Sequence, residues 1–97
     1  MYLLCAIAYK KINDLPNAIK ILHSATIIFP KYYDAYVYRG KLYVKTKNYE
    51  QGIQDFDTSI LLNNSRGFGY IGKADCLRFL NKFEEASELY TEAMGKE

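Results

Sequence analysis

An all-α array of three antiparallel helix–turn–helix hairpins is the architecture these 97 residues predict. Three observations carry the prediction. Large residues recur every 34 positions: Tyr2, Tyr36 and Tyr70; Tyr9, Tyr43 and Leu77; Leu15, Tyr49 and Phe83; Leu22, Phe56 and Tyr90. Small residues recur in the same register, as Ala6, Gly40 and Ala74, then Ala18, Gly52 and Ala86, then Ala25, Ser59 and Ala93. Helix-breaking residues fall between these blocks, and no segment sustains strand-like alternation.

The elements follow in order. A first helix is expected over 2–12, apolar nearly all round through Leu3, Leu4, Ile7 and Tyr9, and ended by the turn formers Asn13 and Asp14. Pro16, with φ preset, suits the first position of a second helix over 16–29. Phe29-Pro30-Lys31 stops that helix, because Pro30 cannot continue it. Helices over 33–46 and 49–62 flank Lys47-Asn48, which stands where Asn13-Asp14 stands in the first pair. Asn63, Asn64 and Gly67 supply the next stop, since they tolerate positive φ or cap a following helix. The last pair, 67–80 and 83–95, is broken at Asn81-Lys82. Small columns are needed where two helix axes cross closely, with large residues filling the space above and below.

Composition narrows the functions. Half the residues are apolar and a quarter charged, an ordinary globular balance. Ten Tyr and five Phe with no Trp suit half-buried positions between helices and at binding surfaces. A net charge of +2 argues for neither nucleic acid nor an anionic membrane as partner. The opening apolar run lacks a basic leader and stops at Lys10-Lys11, so it is expected to be a core helix rather than a secretory peptide or a membrane span. Cys5 and Cys76 are expected as buried free thiols, which favours a reducing, cytoplasmic setting. No cofactor or metal site is expected, because His23 has no Cys or His within helical reach.

No catalytic residues are expected either. His23 shares its column with Asp57 and Thr91 on an outward helix face, without a nucleophile to activate. Glu84, Glu85, Glu88 and Glu92 form a solvated helix face, acidic at its N-terminal end as the helix dipole favours. The string Gly67-Phe-Gly-Tyr-Ile-Gly72 spells a dinucleotide fingerprint but lacks the strand that must precede it.

The 34-residue period and its columns resemble the tetratricopeptide repeat, across essentially the whole chain and in three copies. Counted from the start of that repeat, the large fourth residue is Tyr2, Tyr36 and Tyr70, and the small eighth is Ala6, Gly40 and Ala74. The aromatic eleventh is Tyr9 and Tyr43, with Leu77 substituting. The later Ala, aromatic, Ala and Pro places hold Ala18, Leu22, Ala25 and Pro30 in the first unit. Two departures stand out. Asn64 takes the place of proline, and the usual seventh-position leucine is replaced by Cys5, Arg39 and Lys73, whose long Arg and Lys stems are expected to reach solvent.

The resemblance implies a right-handed superhelix and a single domain over 1–97, with repeats of about 1–32, 33–66 and 67–97. It further implies a concave groove lined by the first helix of each hairpin, holding a peptide or a helix of another protein. The family's groove places fall on Leu3, Ile7 and Lys10; on Asp34, Val37, Lys41, Val44 and Lys45, with Tyr38 alongside; and on Phe68, Ile71, Asp75, Arg78 and Phe79. Such a lining suits a protein segment with apolar anchors and some acidic residues. The carboxylate clamp of chaperone-binding members is not expected, because its places hold Leu3, Ile7, Tyr38, Phe68 and Gly72, which offer no charged or amide donor. The alternative role is an architectural stretch of a larger assembly. The apolar first helix and the lack of a polar capping helix suggest an excerpt of a longer array, or self-association through an end face.

Overall fold

A computed structural model describes residues 1–96. Six helices run in order: α1 (Tyr2–Lys11), α2 (Leu15–Ile28), α3 (Tyr33–Lys45), α4 (Tyr49–Leu62), α5 (Phe68–Phe79) and α6 (Phe83–Met94). Every boundary lies within one residue of its expected place. Leu15 leads α2, so Pro16 occupies the second helical position instead of the first. Each helix packs on the next, and α3 also meets α5, which makes an all-α array 34 × 25 × 19 Å in extent.

The three hairpins turn by one device. Asn13, Lys47 and Asn81, spaced by the repeat interval, adopt φ of 62°, 64° and 67°. The residue after each donates its N–H back across the end of the helix: Asp14 to Tyr9 O, Asn48 to Tyr43 O and Lys82 to Leu77 O, each at 2.8 Å. Asn13, Lys47 and Asn81 themselves donate three residues back, to Lys10, Val44 and Arg78. This is the Schellman closure, which satisfies carbonyls that the end of a helix leaves unpaired.

All nine members of the small columns are buried, from Ala6 through Ala93. They bring α1, α3 and α5 against α2, α4 and α6, with Leu22, Leu42, Phe56 and Leu77 filling the space between. A Cβ added to Gly40 would lie 2.7 Å from the Phe56 ring, which would have to shift, and one added to Gly52 would lie 3.1 Å from Cys76 Sγ, tighter than ordinary van der Waals contact.

Two sequence expectations are corrected. Arg39 does not extend into solvent. It lies over α4 with its side chain 12% exposed, and donates from Nε and Nη2 to the two oxygens of Asp55, itself 6% exposed, at 2.7 and 2.6 Å. Its Nη1 donates to Thr26 Oγ1 at 3.3 Å and faces His23 Nδ1 at 3.2 Å, while Tyr36 and Tyr43 flank the guanidinium. The bidentate carboxylate is what makes the burial tolerable, since an unpaired charge there would be prohibitive. Cys5, expected inside, is exposed, because the face of α1 that carries it has no helix against it; Cys76 is buried as expected.

Candidate functional site

The first helices of the three hairpins place most of the sequence-selected groove residues on one face. Leu3 from α1 and Asp34, Val37, Tyr38 and Lys41 from α3 join Phe68 of α5 around a cleft of about 250 Å³. Val37 is buried and forms its floor. Lys10 reaches across from α1, its ammonium 5.9 Å from the centre of the Tyr38 ring. Lys41 of the middle hairpin makes a similar contact from a different repeat position, 5.5 Å above Phe68. Each cation thus lies over an aromatic ring of the following hairpin, where the ring's electron-rich face attracts it.

Arg66, in the turn before α5, was missing from the groove residues selected from the sequence. Its guanidinium lies 4.8 Å from the Tyr33 ring and 5.1 Å from Phe68, and contacts Asp34 at 3.4 Å. It also borders a second cleft of about 290 Å³ beside Phe68 and Ile71. The signal for it was its position two residues before a groove-facing Phe, in a turn that sequence reasoning valued only as a stop. Burial pushes the phenols of Tyr33 and Tyr38 above their ordinary range, so both rings stay neutral beside these cations.

The remaining predicted residues divide. Lys45 is exposed and Ile7 half-buried, while Val44 packs against the cluster of Val37, Phe56 and Cys76. Asp75 and Arg78 are engaged within the last hairpin: the Tyr90 hydroxyl donates to Asp75, and Arg78 Nε donates to the Tyr90 oxygen at 3.2 Å. Phe79 stacks on Tyr49 of α4, with ring centres 5.2 Å apart and planes 12° from parallel. The cluster therefore runs from Lys10 and Leu3 through Tyr38 and Lys41 to Arg66, Phe68 and Ile71, and Asp75 and Arg78 stand apart from it.

A larger concavity, about 720 Å³, opens elsewhere, between the start of α1 and the turn carrying Ile28, Phe29 and Pro30. It is mostly apolar and shallow, without the convergent charged groups of the groove. Among the described residues no three His, Cys, Asp or Glu are grouped to hold a metal ion, and no helix is long and apolar enough to cross a membrane.

Hairpins at equal spacing, with equal turns and equal small-residue crossings, define a helical-repeat protein. Residues 33–66, the middle hairpin and the turn after it, match the model of the tetratricopeptide repeat. The middle hairpin is thus similar to a tetratricopeptide repeat, and the other two hairpins share its period and its fold. Solved structures of the same fold include the second such domain of Spaghetti (RPAP3), bound to an HSP90 peptide SRMEEVD, at 20% identity and a TM-score of 0.93, covering 99% of this chain and 89% of that one. The TPR2B domain of yeast Sti1, in complex with pHsp70, is similar at 23% identity and a TM-score of 0.93, covering 98% and 76%. MamA is similar at 21% identity and a TM-score of 0.92; there the match covers 98% of this chain and 56% of the other.

Proposed function

We propose that the chain is a protein-interaction module that holds an extended segment or helix of another protein along the face shared by α1, α3 and α5. One observation carries this reading: the cleft that gathers Leu3, Val37 and Phe68 with Lys41 and Arg66. Apolar walls with cations at the rim suit a segment whose apolar side chain enters the cleft while a neighbouring Asp or Glu meets Lys41 or Arg66. Asp34 is already engaged by Arg66, which leaves Lys10 and Lys41 to set a positive field along this face. The Spaghetti domain with its HSP90 peptide and the Sti1 domain in complex with pHsp70 support the reading through shared architecture. Recognition here differs from a two-carboxylate clamp, since Leu3, Ile7, Tyr38, Phe68 and Gly72 stand at those places.

The test is fluorescence anisotropy against a panel of labelled peptides pairing apolar anchors with acidic residues, alongside versions with the acids changed to amides. The reading expects binding that favours the acidic peptides and weakens at least tenfold in Lys41→Glu/Arg66→Glu, with the melting temperature unchanged. Equal binding of acidic and amide peptides, or an unaffected double variant, would overturn it.

A further inference from the structure

The outer face of α1 exposes apolar side chains whose repeat equivalents are buried or half-buried. Met1 is 90% and Leu4 63% exposed, and Cys5 and Ala8 are open. One and two repeats later, those four places hold Ala35, Tyr38, Arg39 and Leu42, then Gly69, Gly72, Lys73 and Cys76. Each of these sets lies beneath the second helix of the hairpin before it. At the other end of the array the outer face of α6 is also open: Phe83 is 61% and Met94 70% exposed, and Tyr90 is only half-buried where Leu22 and Phe56 are fully covered.

We infer that a second copy of this chain docks head to tail, the outer face of α6 on one copy against the outer face of α1 on the next. The two internal junctions show what such a contact requires. At the second junction Asp57 pairs with Lys73 at 2.7 Å, Phe56 lies against Gly72 and Tyr49 stacks on Phe79. Carried one repeat onward, those pairs become Thr91 with Cys5, Tyr90 with Leu4 and Phe83 with Lys11 of the second copy. None sets like charges together, and Lys11 over Phe83 repeats the cation-on-ring motif of the groove.

Side-chain volumes agree as well. The first junction is built from Ala6, Leu22 and Tyr38, which pack in one cluster. The proposed contact offers Ala74, Tyr90 and Leu4, the same three residue types with the two large ones exchanged. Charge adds direction. Residues 1–31 carry Lys10, Lys11, Lys20 and Lys31 against a single acid, Asp14, while α6 carries four Glu and no basic residue. Head-to-head or tail-to-tail pairing would bring like charges together; head-to-tail pairing joins opposite ones.

Sedimentation equilibrium of the 97-residue chain, from micromolar to millimolar, tests this. Leu4→Glu blocks the α1 face and Phe83→Glu the α6 face; both positions are exposed, so thermal melts should match the parent. The expected results are a parent mass that rises with concentration beyond a dimer, and each variant alone monomeric. An equimolar mixture of the two variants should stop at twice the chain mass, because one intact α1 face then meets one intact α6 face. A parent that stays monomeric at millimolar concentration overturns the inference and leaves these faces to hairpins of other sequence. Either variant dimerising alone, or a mixture that stays monomeric, overturns the head-to-tail arrangement.

Discussion

The ring of Phe56 fills the volume that a side chain on Gly72 would need: a β-carbon built there would overlap three atoms of the ring. Gly72→Ala is therefore expected to destabilise the chain by about 1–3 kcal/mol through overpacking. The effect should be smaller in a Phe56→Leu background, where the first hairpin's Leu22 shows that the shorter side chain accepts a larger neighbour. Urea denaturation of the four chains in that cycle measures the coupling, and a Gly72→Ala cost unaffected by Phe56→Leu would contradict the contact.

Asp55 answers a buried guanidinium. Burial raises its carboxyl above the ordinary range and the paired bonds from Arg39 draw it partly back, while those same bonds raise the Arg39 value. Asp55→Ala should cost about 3–5 kcal/mol, because the Arg39 charge would stay inside without its partner. Replacing both, as Arg39→Met with Asp55→Ile, should cost far less; Ile21 already fills the Asp55 place in the first hairpin. Equal melting of single and double variants would show that the pair is not acting as a unit.

Lys47 holds a left-handed conformation that Asn adopts at both equivalent turns. Lys47→Asn is expected to stabilise the chain by about 1 kcal/mol, since Asn visits this region more readily than Lys. A melting temperature that falls or stays level would count against it.

The two thiols should differ sharply toward alkylation. Cys5 is exposed, while burial, with a further push from Asp75, raises Cys76 to about 11. The thiolate is the reacting form, so at pH 8 native protein should gain a single iodoacetamide adduct, at Cys5, and a second only after unfolding. Mass spectrometry of digests reads the sites directly; prompt labelling of Cys76 in native protein would be inconsistent with the packing described.

Much of the scaffold could be read from residue size alone. The columns through Ala6, Ala18 and Ala25 revealed the crossings, and the turn formers marked each hairpin within a residue, because backbone approach and left-handed φ impose demands that one position states by itself. Arg39 with Asp55 was not legible. The partners lie 16 residues apart on different helices, a spacing that no helical periodicity marks. In the sequence Gly72 shows itself only as the end of a fingerprint string without its strand and as a failed clamp position, since its role depends on the size of Phe56 rather than on its own type. Cys5 was misplaced for a related reason: burial in its column comes from contacts with a second helix, as for Arg39 and Lys73 on α4, and nothing local reports such a contact. Groove positions could be listed from the resemblance, but their grouping around Arg66, and the diversion of Asp75 and Arg78 to Tyr90, required three dimensions.

The way Phe56 nests between two glycines also restricts how such a gene could grow. Were the middle hairpin copied in tandem, Phe56 would confront a second Tyr38 in place of Gly72, and the duplicate would meet its parent overpacked. Lengthening by simple duplication thus calls for a smaller residue at position 56, as Leu22 provides in the first hairpin, and the order of the hairpins is written into the volumes of their inner side chains.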